Sequence, residues 1–308
     1  MPLFRRGAAD PERRLREHHD AAYRAFDAER WDEAATELAR AVEAAQVVGV
    51  PREDLAHLAF DLALVHKFRR DWPAAATTGL QAAELAPEGL EEPAWWNLGI
   101  AATAVHDWAT ARRAWSTYGV DIPAGHGPID ADLGMTPVRI DTREGAEVVW
   151  CRRIDPARAF IESVPLPGSG RRWGEIVLHD GVPHGERVVA GRTFSVFEEL
   201  EIWATSEVPV QAVEVRVTAD LDVEALSELA EASGLVAESW GTVQALCAAC
   251  SEGRIDSDAS HDHAPSESGS GRCQVGIAAA AGDADRLLQR WIRAAPDRRG
   301  AGTLETVA

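Results

Sequence analysis

Lysine is nearly missing from this 308-residue chain: Lys67 is the only one among 31 basic side chains. Every other base is arginine, which alongside abundant Ala and Gly reflects composition rather than a site. Positive charge is short overall, with 50 acids giving a net charge of −19, so non-specific nucleic-acid binding is excluded. Cysteine is scarce at four residues, which read as thiols or metal ligands and not as a disulfide framework. Nowhere do 18 uncharged apolar residues run together, so no membrane-spanning helix is expected. The opening MPLFRRGAADPERR has no apolar stretch after its arginines and does not read as a secretory signal, so a cytoplasmic location is expected. The HExxH, nucleophile-elbow, P-loop and dinucleotide-binding signatures are all missing, which removes the common routes to a catalytic reading.

What the chain has is apolar residues enough for a core (46%) and a repeated helical pattern. In EEPAWWNLGIAATAVHDWATARRAWSTYGVDIP, Trp95, Leu98, Gly99, Trp108, Ala111 and Pro123 mark two helices and their close. Two earlier stretches share these offsets. One places Leu62, Ala63, Trp72, Ala75, Ala82 and Pro87; the other places Trp31, Ala34, Leu38 and Ala41. The three tryptophans are 41 and 36 residues apart. Ala at helix crossings permits close approach, and a Trp opening each second helix fills the neighbouring groove.

Residues 11–124 therefore resemble a tetratricopeptide repeat (TPR) array of three hairpins. The third repeat carries the pattern best, and the first lacks its opening Trp, its Leu-Gly pair and its closing Pro. The resemblance implies an α-solenoid whose groove is lined by the first helix of each hairpin. Transferred to this chain, the groove positions are Tyr23, Phe26, Phe60, Leu64, Lys67, Phe68, Trp96 and Ile100, with His19 and His57 beside them. That set is aromatic and apolar with one cation, so the implied partner is an apolar peptide or protein, or another segment of this chain. The alternative is that these side chains simply pack the solenoid.

Past the Gly/Pro/Asp-rich boundary AGHGPIDADLG the helical period stops. Residues 125–205 are short, β-branched segments broken by Pro, Gly and Asp, which predict a small barrel or sandwich of about six strands, with HDGVPHGE as a hairpin loop. Cys151, His179 and His184 fall here, and a thiol–imidazole pair is one reading of them; a buried thiol and solvent-facing histidines are the other. Residues 206–296 read strand–helix–strand–strand–helix, with Asp222 as an N-cap and Leu287, Leu288, Trp291 and Ile292 as one helix face. This order resembles a ferredoxin-like α/β unit lacking one strand. Residues 297–308 read as a flexible tail.

Between the last two strands lies the loop 247–273, with Cys247-x-x-Cys250, His261-x-His263 and Cys273. Two thiolates in a Cys-x-x-Cys turn suit one tetrahedral Zn, and a further Cys and His would complete four ligands. A structural zinc site is one expectation. A redox dithiol and an acidic loop with incidental histidines are the others, and a catalytic zinc would need a base such as Glu252.

The expected fold is therefore multi-domain, α followed by α+β. The expected function is a non-enzymatic interaction protein, with the groove taking an apolar partner. The first 124 residues carry 20 acids against 14 bases, and the remainder 30 against 17, so a basic protein would be steered to the C-terminal half. A neutralising partner of a bacterial toxin or effector is a special case of this. A zinc- or thiol-dependent enzyme, or a metal or redox sensor centred on the Cys/His loop, is the alternative.

Overall fold

A computed structural model describes residues 10–89, 92–142, 145–189, 191–240 and 271–308. They form two compact units, divided in the chain between Ala131 and Asp132. The first contains α1 (Pro11–Asp27), α2 (Trp31–Val48), α3 (Arg52–Phe68), α4 (Trp72–Leu85), α5 (Pro93–Ala104) and α6 (Trp108–Tyr118). Consecutive helices pack on one another, and α3 also packs on α5, as in a helical repeat.

The three hairpins turn in the same way. Glu29, Arg70 and His106 all adopt positive φ, at 54°, 57° and 62°. Each stands two residues before a tryptophan that opens the second helix. In each turn its amide donates to a carbonyl three residues back, on Phe26, Lys67 and Thr103. The next amide donates five residues back, to Ala25, His66 and Ala102. These bonds satisfy the last carbonyls of the first helix, and the left-handed residue reverses the chain. Asp71 and Asp107 then cap α4 and α6, accepting from the amides of Ala74 and Thr110 at 3.4 and 3.1 Å.

Counting back seven residues from each left-handed residue gives Ala22, Ala63 and Gly99, all buried. Counting forward five gives Ala34, Ala75 and Ala111, also buried. Small side chains at matched positions let the helices close. Trp31 fills the gap between α1 and α3, its ring 5.3 Å from Phe26 and 4.8 Å from Phe68. After α6, the Arg112 guanidinium donates to the carbonyls of Pro123 (3.2 Å) and Gly127 (2.6 Å). That tether carries the first unit past the expected boundary at residue 124, to Ala131.

The second unit begins with β1 (Met135–Thr142), β2 (Gly145–Arg153), β3 (Arg158–Ile161), β4 (Ile176–Val189) and β5 (Arg192–Ala204). The strands are neighbours in this order, and β5 returns parallel to β1 at Val138 and Arg139, closing a five-stranded barrel. Its core holds Val138, Ile140, Val149, Cys151, Ile161 and Val177. The count is five because the segment HDGVPHGE, expected as a hairpin loop, runs inside β4. Register shifts around His179, Pro183 and Glu186 absorb its Pro and Gly residues without ending the strand. The β4–β5 turn falls instead beside Gly191, at φ 76°.

There follow β6 (Val210–Val217), α7 (Asp220–Glu231), β7 (Val236–Ser239), β8 (Gly271–Ala278), α8 (Ala281–Ala294), β9 (Gly300–Ala301) and β10 (Glu305–Thr306). The sheet order is β10–β6–β8–β7, with β9 also on β6 and every pairing antiparallel. Val213, Val215 and Val217 of β6 and Val275 and Ile277 of β8 share a core with Leu226 of α7 and Leu287, Leu288 and Trp291 of α8. Two expectations need correcting. Residues 297–308 are not a free tail, because β9 and β10 complete the edge of β6. Asp222 is not an N-cap, because α7 starts two residues earlier with Ala219 at its cap.

Candidate functional site

A cleft lies in the first unit, between α1 and α3. Its volume is about 660 Å³, within the range of ligand pockets. The α2–α3 connection adds Val50, and Leu15 and Leu58 supply further apolar wall. Tyr23 and Phe60 present aromatic faces to it, with His19 and His57 at its sides. The rest of the lining is mainly acidic: Asp20, Asp54 and Asp61 face Arg16 as the one arginine.

Asp61 is the half-buried acid of this group. The Tyr23 hydroxyl donates a hydrogen bond to its Oδ2. Burial pushes the Asp61 carboxyl up; the Tyr23 hydrogen bond and the His57 and His19 imidazoles pull the other way. Burial and the neighbouring carboxylate together also push the Tyr23 phenol up, so it keeps its proton and stays a donor.

This bond is one rung of a ladder between repeats. Asp20, Asp61 and Asn97 each stand nine residues before the left-handed residue of their hairpin. Tyr23 of the first hairpin donates to Asp61 of the second. Lys67 of the second donates through Nζ to Asn97 Oδ1 of the third, at 3.2 Å.

Of the eight groove positions drawn from the sequence, the cleft unites only Tyr23 and Phe60. Phe26 and Phe68 are 6.2 Å apart and clasp Trp31, so they pack the hairpins together. Lys67 is 3% exposed, against the expectation of a cation open to a ligand; its ammonium is spent on Asn97 and on the Phe68 ring at 5.5 Å. Ile100 is fully buried and offers no surface, a second correction. Trp96 stacks edge-on against Trp115 at 5.0 Å and Tyr118 at 4.7 Å. Leu64 is half-buried on the α3 face. Sequence reasoning missed Asp20, Asp54 and Asp61. For Asp20 and Asp61 the signal available was the polar residue recurring at one register in all three hairpins; Asp54 lies outside that register.

The thiol and imidazoles of the barrel form no nucleophile pair. Cys151 is fully buried, and its Sγ lies 3.9 Å from the Val149 carbonyl. Burial, with nearby Glu199 and Glu162, pushes that thiol far up and holds it protonated. His179 is also fully buried, with Nδ1 2.7 Å from the Asp180 carbonyl. Burial and the Arg153 charge depress it to about 4, so the ring is neutral. His184 is exposed, 3.8 Å from Glu198.

A second, smaller cavity of about 110 Å³ lies where β2, β4 and β7 meet. Two carboxylates face it and hold the segment after β3. Glu238 accepts from the Val164 amide at 2.7 Å, and Glu147 accepts from the Leu166 amide at 3.0 Å. Trp240 donates to the Val164 carbonyl at 2.9 Å. Arg187 lines the same space, bonded to the Val148 carbonyl at 3.3 Å and lying 5.5 Å from the Trp150 ring. These bonds join barrel to sheet.

Cys247, Cys250, His261 and His263 lie outside the described residues. Cys273 is described. It sits on β8, half-buried against the core shared with α7 and α8, and burial pushes its thiol up. Among the described residues, no cluster of three His, Cys, Asp or Glu is placed to hold a metal ion. None of their helices is long and apolar enough to cross a membrane. No protein-family model matches this chain, and no curated protein matches it.

Proposed function

We propose that the first unit is a TPR-like scaffold that binds a protein partner through an extended peptide segment, without catalysis. The observation that carries this reading is the cleft of about 660 Å³ on the first-helix side of two hairpins with matched turns. Partly exposed Tyr23 and Phe60 beside Leu15, Val50 and Leu58 give it contact surface for side chains. Aromatic residues held by two torsions lose little entropy on contact, which suits a binding surface. The second unit is the supporting module. Its β10–β6–β8–β7 order, with two helices on one face, supports a ferredoxin-like reading in which the chain's own tail supplies the fourth strand.

Panning a random-peptide library against the full chain tests the scaffold. Peptides captured by the wild type and lost with Phe60→Ala and Tyr23→Ala, but kept with Trp96→Ala, support the α1/α3 cleft as the site. Enrichment indifferent to Phe60 and Tyr23, or no enrichment, overturns it.

A further inference from the structure

We propose that the α1/α3 cleft selects a cationic side chain, Arg or Lys, flanked by an aliphatic residue, with Asp61 as its anchor and Asp20 and Asp54 as its outer acids. This rests on the scaffold reading above and specifies the chemistry of its ligand. Three carboxylates line the cleft, Asp20 from α1 and Asp54 and Asp61 from α3, against one arginine. That arginine, Arg16, also lies 3.7 Å from Glu12 on its own helix. Among the described residues, the ion-pair contact of Asp20 is the His19 ring, at 3.5 Å. Among the described residues no guanidinium or ammonium pairs with Asp61; its partners are the Tyr23 hydroxyl and the fields of two imidazoles.

A half-buried carboxylate in this position has lost water without gaining a cation. A ligand guanidinium or ammonium would supply the missing charge, and a guanidinium could take both Asp61 oxygens while stacking on Phe60 or Tyr23. The apolar wall of Leu15, Val50 and Leu58 lies beside the acids, so a neighbouring aliphatic side chain has a surface of its own. Lys67, the one cation the sequence places along this row, is buried and committed to Asn97, so it does not neutralise the cleft. An acidic peptide, including one bound by its terminal carboxylate, is disfavoured by the same charges.

The test extends the peptide panning to Asp61→Asn and to the double variant Asp20→Asn/Asp54→Asn, whose side chains are exposed and whose fold should be intact. The expected result is enrichment of Arg or Lys next to an aliphatic residue. The selected peptide should bind at least about tenfold more weakly to Asp61→Asn, and its affinity for wild type should fall with salt. Replacing its basic residue by Gln should remove the difference between wild type and variant. Peptides without basic residues that are lost with Phe60→Ala but bind Asp61→Asn and the double variant normally overturn the cation inference and leave the scaffold standing. Absence of any Phe60-dependent peptide overturns both.

Discussion

Gly99 lies flat beneath the indole of Trp115, so close that a Cβ built on it would come within 2.5 Å of the ring. Trp115 is fully buried and itself stacks against Trp96, so the ring has no free space into which to move. The α5–α6 hairpin thus owes its close crossing to one missing methyl group. Gly99→Ala should lower the stability of the first unit by roughly 1–3 kcal/mol, the usual cost of overpacking. Chemical denaturation followed by Trp fluorescence measures it. Gly89→Ala, at a position with open space around it, is the control and should leave the transition unmoved.

Asp222 anchors the tail of the chain. Its buried carboxylate accepts from Arg299 Nε at 2.8 Å and lies 3.3 Å from Arg298. Its carbonyl accepts from the Trp291 indole at 2.7 Å, and Arg299 covers the Trp291 ring at 5.4 Å. Removing one partner of a buried pair leaves the other charge stranded. Asp222→Ala should cost the second unit roughly 3–5 kcal/mol. It should also raise amide exchange at residues 300–306, where β9 and β10 pair with β6. Hydrogen-exchange mass spectrometry reads the second effect, and unchanged protection there would show that strand pairing alone holds the tail.

The helices were legible because their signals are local. Trp31, Trp72 and Trp108 open their helices where the spacing puts them, and Gly49 and Gly119 end theirs in left-handed conformations. The β6–α7–β7–β8–α8 order was legible for the same reason, through alternation at Val213, Val215 and Val217 and the apolar face of α8. The cleft was less so. A groove transferred by position gave Lys67 and Ile100, yet burial depends on the neighbouring hairpin, which a single repeat does not encode. The tail was misread because PDRRGAGTLETVA has almost no apolar pattern. Its order comes from β6 offering an open edge and from Asp222 holding Arg299, both distant in sequence. The long β4 was hidden by Pro183 and Gly185, which mark turns in most strands but here sit at register shifts.

The Cys/His stretch makes its own prediction. If Cys247, Cys250, Cys273 and one of His261 or His263 hold zinc, the purified chain carries one zinc per molecule. Cys247→Ser/Cys250→Ser should abolish that zinc, and single His261→Ala and His263→Ala variants should identify the fourth ligand. Inductively coupled plasma mass spectrometry of the untagged protein decides it. A wild type free of zinc after purification without chelators refutes the site. Of these residues Cys273 would have most to lose as a ligand: it is half-buried on β8 and its thiol is pushed up, so a metal would have to draw off a proton that burial retains.

Glu147 makes the seam between barrel and sheet sensitive to pH. Its carboxyl is 4% exposed, and burial raises it from 4.5 to about 7. The Leu166 amide opposes that rise and the Glu238 carboxylate adds to it. The groups facing this space are Glu147 on β2, Glu238 on β7 and Arg187 on β4. Because the folded value lies above the unfolded one, the folded state binds the extra proton. The stabilisation is therefore complete below about pH 4.5 and is lost as pH rises through about 7. It amounts to at most about 3 kcal/mol. Glu147→Gln keeps an oxygen for the Leu166 amide and cannot ionise. Its second unit should melt at a temperature that changes less between pH 6 and 8 than the wild type's, and should be the more stable of the two at pH 8. Parallel melting curves for wild type and variant across that range would refute the assignment to Glu147. A slope that disappears only in Glu238→Gln would move the titrating proton across the cavity to its partner.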